Sequence, residues 1–350
     1  MKHSKTIGLL ENSLKAQFQD GMRKAVLIVG SGLHAKLNLN GTGSFQDWAC
    51  LVKTICDKFG VERKSKHPDL TSAWEALILE TMIEGGATAD LAAHEMERIL
   101  LQEVCGLLEK QRYESNSKLD RLAKELFQKH RDIVSLNFDR TIDRAISPTS
   151  GQVRVGGSPA TRIGPQARKT LHVKLPRQRV WHPHGIAQSK TTARSIQLGV
   201  RAYAQSAQLV NEAIVNFRKK QREWLSSHGY IPGAWTREKH DRWDEQLRGL
   251  RTSKPLSWVD VCMTSDLIFV GCGLNRAELD LWILLHERQR QFARRSDNVK
   301  PRTFLLHETP EKCTGDNSDL AYILNHRPAG IVPVGFKTYE DMWSFLLKQR

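Results

Sequence analysis

Short apolar runs alternate with longer amphipathic stretches along the chain. The clearest run, Ala25–Val29, is too short for a helix and ends at a glycine, which is typical of a strand buried on both faces. Similar runs predict further strands at 132–136, 179–182, 265–271, 302–306 and 330–334. Between these runs, helical spacing of apolar residues predicts helices at 8–22, 46–59, 72–84, 88–111, 117–130, 203–227, 236–250, 277–293 and 339–347.

This alternation predicts an α/β fold. Strands separated by helices favour a Rossmann-like, mostly parallel sheet with helices on both faces. No clear linker divides the chain, so we expect one domain over residues 1–350, with core strands within about 24–145 and 179–350. Residues 147–178 are rich in Gly, Pro, Ser and Arg and predict a basic loop, and the charged stretch at about 203–255 predicts a helical insertion.

The positive charge is concentrated in one part of the chain. The formal net charge is +15, which favours anionic partners such as nucleic acid, acidic lipid or a phosphorylated small molecule. Residues 144–211 contain no Asp or Glu but eleven Lys or Arg, and therefore contribute most of this excess. Two interpretations follow: a solvated basic loop, or a surface that contacts the phosphates of a cofactor or a nucleic acid.

Several classes of protein are disfavoured by what the sequence lacks. The first twenty residues have no apolar core of signal-peptide length, and the longest apolar runs are far too short to span a bilayer. The six cysteines form no Cys-x-x-Cys pair and no short Cys/His cluster with zinc-finger spacing. We therefore expect a cytoplasmic protein without a membrane segment or a structural zinc.

Two predicted strands end in glycine-rich turns. Gly30-Ser31-Gly32 follows the first strand, and Gly271-Cys272-Gly273 follows the strand at 265–271. Glycines in such a turn allow close approach of a pyrophosphate, which exposed N–H groups can bind. The alternative is a plain tight turn, because the complete dinucleotide-binding fingerprint is absent. Both turns lie at carboxyl ends of strands, where open sheets bind ligands.

Polar side chains follow two other predicted strands. Asn137 comes just after the strand at 132–136, where an amide could hold a ribose hydroxyl or a carboxamide. Asp139 fits a helix cap before residues 140–145. His184, in His182-Pro-His-Gly185, is a candidate base, although a histidine at a strand end is more often structural. A metal site is disfavoured, because no further ligand has suitable spacing.

The order of these motifs resembles the sirtuin superfamily, and most closely its bacterial sirtuin-like branch associated with anti-phage defence. The resemblance rests on short segments whose order makes it specific: 30–33, 135–143, 182–185, 195–199 with Tyr203, and 266–280. Members of this branch typically hydrolyse NAD+. Classical deacetylases carry two Cys-x-x-Cys pairs that this chain lacks, and residues 38–47 differ from their cofactor loop, so deacetylation is not expected.

The resemblance implies a set of site residues and partners. It implies that Asn137 and His184 are catalytic in an NAD+ glycohydrolase that releases nicotinamide and ADP-ribose. The residues implied to bind NAD+ as substrate are Gly30, Ser31, Gly32, Asp139, Gly271 and Gly273. It also implies a role as the effector of an abortive-infection type of defence, as a homo-oligomer activated by a partner such as a hexameric ATPase of the DNA-translocase type or another phage sensor.

Two alternatives remain open from the sequence. The first is a nucleic-acid-binding or nuclease component that uses the basic region at 144–211, although no acidic cluster with metal-nuclease spacing supports cleavage. The second is a sensor that binds NAD+ or ADP-ribose without turnover.

Overall fold

The computed structural model describes most of the strands and helices that the sequence predicts. The residues described are 7, 10, 25–32, 39–40, 48–60, 70–84, 90–110, 112–113, 132–139, 142, 153–156, 169–172, 179–187, 196–227, 257–275, 278–293, 301–308 and 319–348. Outside them lie the predicted helices at 117–130 and 236–250. Of the first 24 residues, only Ile7 and Leu10 are described, so most of the predicted helix at 8–22 also lies outside them.

Six parallel strands form the main part of the larger sheet. In chain order these strands are β1 (Ala25–Val29), β4 (Asp132–Ser135), β7 (Arg179–Trp181), β8 (Asp266–Val270), β9 (Thr303–Glu308) and β10 (Ile331–Phe336). Across the sheet they run β10-β9-β8-β1-β4-β7. Read from β7, this is the 3-2-1-4-5-6 order of dinucleotide-binding folds. The predicted α/β class and its mostly parallel sheet are confirmed.

Helices account for most of the remaining elements. Among the described residues they are α1 (Trp48–Phe59), α2 (Leu70–Glu84), α3 (Asp90–Lys110), α4 (Gly199–Ser227), α5 (Trp258–Thr264), α6 (Leu279–Phe292), α7 (Asp319–His326) and α8 (Tyr339–Lys348), with a 3-10 turn at Pro328–Gly330. The short strands β2 (Leu39–Asn40) and β3 (Arg112–Tyr113) form a separate antiparallel pair.

Alternate residues of the parallel strands enter two different cores. Leu27 and Val29 of β1 pack on one face of the sheet with Met342 and Trp343 of α8. Val26 and Ile28 pack on the other face, against α4, α5, α6 and α7. Since every residue of β1 and β8 is buried, helices cover the sheet on both faces, as is usual for parallel strands.

A third core joins α1, α2 and α3 to the carboxyl edge of the sheet. Its helical residues include Ile55, Trp74 and Val104, and its remaining members come from segments that follow β4 and β7, among them Phe138 and Ala187. This small helical unit therefore packs where the parallel strands end.

The region of the expected basic loop differs from the sequence-based expectation. The expected loop at 147–178 contains β5 (Val153–Gly156) and β6 (Lys169–His172), which extend the sheet beyond β7 as antiparallel strands. They are only four residues each, too short for alternation to be recognised among glycines and prolines. Of the expected insertion at 203–255, the described part is α4, which packs on the sheet face through residues including Ile214 and Phe217.

Helix α5 was not expected from the sequence either. It has only seven residues, but a capping box marks its start: the Ser257 hydroxyl accepts from the Asp260 amide, and the Asp260 carboxylate accepts from the Ser257 amide, both at 3.1 Å. Within the described residues, no helix is both long and apolar enough to cross a bilayer.

The close contact between the ends of β1 and β8 yields a stability prediction. A Cβ at Gly30 would lie 2.5 Å from the carbonyl oxygen of Gly271 and 2.9 Å from the Cα of Cys272, so Gly30→Ala must move backbone. We expect a loss of about 1–3 kcal/mol in the free energy of unfolding, measured with denaturant. Gly273→Ala is the matched control, because its Cβ would meet no atom within 4 Å. Equal stability of the two variants would contradict the described contact.

Candidate functional site

The candidate site lies where β1 and β8 end beside each other. In this strand order the chain leaves β1 on one side for β4 and later returns to β8 on its other side, so the crevice outside these two ends is where such folds bind ligands. Both ends are glycine-rich turns, and they are hydrogen-bonded together. Gly30 donates its amide to Val270 O at 3.0 Å, and Gly32 donates to Gly271 O at 2.8 Å.

These hydrogen bonds give the glycines a role that the sequence did not reveal. A Cβ at Gly32 would lie 2.9 Å from the carbonyl oxygen of Gly271, so neither Gly30 nor Gly32 has room for a side chain. Gly271 has a φ of 63°, a left-handed backbone conformation that glycine adopts more easily than residues with a side chain. The backbone amides of Gly30 and Gly32 donate to carbonyl oxygens of the protein itself. This differs from the expectation that these amides bind a phosphate.

Ser31 and Gly273 stand at the more open part of the two turns. Ser31 is half-buried, and the Cβ position of Gly273 has no atom within 4 Å. A ligand that approaches the crevice would therefore find more room beside Gly273 than at the tightly packed Gly30 and Gly32.

Asn137 connects the end of β4 to the first glycine turn. Its side-chain Nδ2 donates to Gly30 O at 3.1 Å, and only 2% of the residue is exposed. Its backbone oxygen accepts from the Ser135 hydroxyl at 3.3 Å and lies 3.4 Å from Nδ1 of His182. Asn137 is thus part of the hydrogen bonding that holds three strand ends together.

Asp139 is buried two residues beyond Asn137. Of the helix that it was expected to cap, only Ile142 is described, so the capping interpretation lies outside the described residues.

His184 belongs to a buried chain of polar groups. Its Nε2 lies 2.9 Å from Oδ2 of Asp280 in α6, and the Ser206 hydroxyl of α4 donates to the same oxygen at 2.7 Å. The amide of Leu281 donates to the other carboxylate oxygen at 2.9 Å. His184 is 1% exposed and Asp280 is 0% exposed. The carboxylate therefore has hydrogen-bond donors from β7's end, α4 and α6.

Aromatic rings surround the His184 imidazole. The centroid of the Tyr203 ring lies 5.1 Å from that of His184, and the Phe138 centroid lies 6.3 Å away. An apolar environment of this kind strengthens the attraction between the imidazole and the carboxylate.

The ion pair favours the charged form of both partners. Burial lowers the pKa of His184, but the Asp280 carboxylate, Glu278 and a backbone hydrogen bond at Leu136 raise it above the ordinary 6.5. Burial raises the pKa of Asp280, but His184, the Ser206 hydroxyl and the Leu281 amide lower it below 3.8. The His184 imidazole is therefore positively charged below its raised pKa and donates its Nε2–H to Asp280.

The thiol of Cys272 is unsuited to nucleophilic catalysis, although it lies next to Gly30. Burial and the charge of Glu278 raise its pKa well above the ordinary value of 9.0, outweighing backbone hydrogen bonds that lower it. A thiol that stays protonated at neutral pH is a weak nucleophile.

The described part of the chain contains no group of three or more His, Cys, Asp or Glu side chains that could hold a metal ion. His182 and His184, which the sequence places two residues apart, have different partners: Asn137 O for His182 and Asp280 for His184.

Sequence reasoning gave no role to Asp280, Ser206 or Gln197, although all three lie near His184. The backbone amide of Gln197 donates to the backbone oxygen of His184 at 2.8 Å. The Gln197 side chain is buried, and neither its Nε2 nor its Oε1 has a hydrogen-bond partner among the described residues. Asp280 is the last residue of the 266–280 segment. An acidic residue in the first turn of a helix was the sequence feature that could have drawn attention to it.

The structure thus brings the glycine turns and Asn137 together and places His184 at the end of the neighbouring strand β7. The expected contact of the basic residues at 144–211 with phosphates stays a prediction, because most of these residues' side chains lie outside the described residues.

Comparison with known proteins adds no assignment. A scan of the chain against protein-family models gives no match, and a search of curated proteins gives none.

The His184–Asp280 pair predicts a pH window of stability. The raised pKa of His184 contributes stability that is complete below 6.5 and lost as the pH rises through the folded-state value. The lowered pKa of Asp280 contributes stability that is complete above 3.8 and lost as the pH falls through its folded-state value. The contribution is therefore greatest between these two ordinary values.

This window is measured by unfolding the wild type and the double variant His184→Gln/Asp280→Asn at a series of pH values. The stability difference between them should fall on either side of the window. Asp280→Asn alone should cost about 3–5 kcal/mol within the window, because the buried imidazole must then either carry its charge without the carboxylate or give up its proton. A difference that does not vary with pH would contradict the charged pair.

Proposed function

We propose that this protein is an NAD+ glycohydrolase that cleaves the bond between nicotinamide and ribose. The observation that carries the proposal is the strand order, which changes direction between β1 and β8, with Asn137 and His184 just beyond the ends of the next two strands of the same sheet. A dinucleotide is the ligand that this strand order most often binds. The resemblance to NAD-hydrolysing sirtuin-like proteins indicates the same substrate.

Hydrolysis needs few protein groups. The C–N bond to nicotinamide breaks with its electrons going to the leaving pyridine, water adds to the ribose carbon, and the water proton leaves. The transition state has oxocarbenium character, as in glycoside hydrolysis. Asn137 would orient the ribose and the water, and His184 in its neutral form would accept the proton of the water or of a ribose hydroxyl on Nδ1, the ring nitrogen that does not face Asp280. Ser31, Asp139, Gly271 and Gly273 would line the dinucleotide, alongside Gly30 and Gly32.

A role in defence follows from the resemblance alone. Sirtuin-like proteins of this kind act in abortive infection, so we propose that a partner, a hexameric ATPase or another phage sensor, activates the enzyme, and that the chain assembles with itself. A cytoplasmic location fits both partners.

A second candidate is a sensor that binds NAD+ or ADP-ribose without turnover. One observation favours it: Asn137 and His184 are both almost fully buried and donate hydrogen bonds within the protein. Binding without consumption of NAD+ would support this alternative, and steeply salt-dependent binding of DNA or RNA would support the nucleic-acid alternative.

The proposal predicts that the protein consumes NAD+, alone or with proteins encoded beside it, and releases nicotinamide and ADP-ribose. Asn137→Ala should reduce the rate about 10²-fold or more, because it removes a polar group that contacts the reacting ribose. His184→Gln should reduce it about 10²–10⁴-fold, because the base is lost. Glutamine is chosen because it can still donate to Asp280. Product release is followed by chromatography.

The matched control is His94→Gln, whose side chain is 64% exposed on α3, and it should retain full activity. Thermal unfolding of each variant separates lost chemistry from lost folding. Wild-type rates in folded Asn137→Ala and His184→Gln, or intact NAD+ with every neighbouring protein present, would refute the proposed hydrolysis.

A further inference from the structure

Asp280 is the acidic group in direct contact with the His184 imidazole. It lies at the start of α6, whereas His184 follows β7, and 96 residues separate them in the chain. The contact is 2.9 Å between Nε2 and Oδ2, with both residues almost completely buried. A carboxylate placed in this way fixes the orientation of an imidazole and selects the protonated form of the nitrogen that faces it.

The carboxylate is itself held in place. Ser206 of α4 donates to Oδ2 at 2.7 Å, and the amide of Leu281 donates to Oδ1 at 2.9 Å. Tyr203, one turn before Ser206, places its ring 5.1 Å from that of His184. Two helices thus fix the imidazole from different directions, and neither Asp280 nor Ser206 needs to contact a substrate to do so.

We propose that Asp280, held by Ser206, is the positioning residue of His184: it fixes the ring orientation and determines the pH at which the imidazole can accept a proton. The inference rests on the proposed function for its kinetic consequence, but its claim about His184 stands on the contact itself. Among the residues that the structure describes, the titratable groups facing His184 are Asp280, Glu278 and Tyr203. Of these, Asp280 makes the side-chain hydrogen bond.

The first measurement does not require catalysis. In the full-length protein labelled with 15N-histidine, NMR should show His184 titrating above the ordinary pKa of 6.5. In Asp280→Asn the titration should move to lower pH. Asp280→Glu retains the charge, so its His184 should still titrate above the ordinary value. Wild-type His184 titrating at or below that value would overturn the proposal, whether or not any variant folds.

The second measurement is the pH profile of NAD+ consumption. In Asp280→Asn the acidic limb should move to lower pH, following His184, while kcat at the optimum falls about 10-fold to 100-fold because the ring is no longer held. The KM for NAD+ should stay within about threefold. A general loss of folding would not shift the acidic limb in this direction. Asp280→Glu should keep the limb near its wild-type position.

Asp260→Asn is the matched control. Asp260 is another largely buried carboxylate, in α5, bonded to Lys220 rather than to His184. It should lose stability without moving the acidic limb or the His184 titration. A folded Asp280→Asn with both quantities unchanged would overturn the proposal. If the wild type consumes no NAD+ with any partner, the proposed function fails, and the NMR titration still decides the role of Asp280.

Discussion

The parallel pairing of β1 with β8 is the constraint on which the rest of the site depends. The two strands are joined along their full length, from Ala25 with Asp266 to Val29 with Val270. Beyond that pairing the hydrogen bonds continue into the turns through the amides of Gly30 and Gly32. Because two backbones meet so closely there, no side chain fits between them, and both turns must begin at the same level of the sheet. This contact therefore fixes the position of the two turns relative to each other.

The buried side chains of Asn137, His184 and Asp280 have partners within the protein at this edge, and their hydrogen bonds connect several elements. Asn137 bonds the end of β4 to the β1 turn. The chain Ser206–Asp280–His184 bonds α4, α6 and the end of β7. An unpaired polar group here would cost about 1–3 kcal/mol, so these bonds specify how the helices sit on the sheet. The same contacts that complete the fold therefore arrange the candidate catalytic groups.

The sequence predicted the elements more completely than it predicted their contacts. Fully apolar runs such as Ala25–Val29 identify buried strands directly, and motifs after those strands locate the candidate site. The Asp280 contact could not be foreseen, because its partner is 96 residues away and only the strand order brings them together. The glycines of 30–32 gave an ambiguous signal, since close packing and phosphate binding both require a residue without a side chain.

Stability alone does not explain a buried ion pair at the edge of an otherwise apolar core. Removing two charges from water costs several kcal/mol each, and well-packed hydrophobic replacements of similar volume are often equally stable. The rings of Phe138 and Tyr203 lie beside His184, but an apolar replacement of Asp280 would leave the buried Ser206 hydroxyl without this acceptor. The proposed hydrolysis would require a group that can change its charge, and a carboxylate beside the imidazole would control when it does so. Under the proposed function, the pair serves proton transfer at the end of β7 in addition to its contribution to folding.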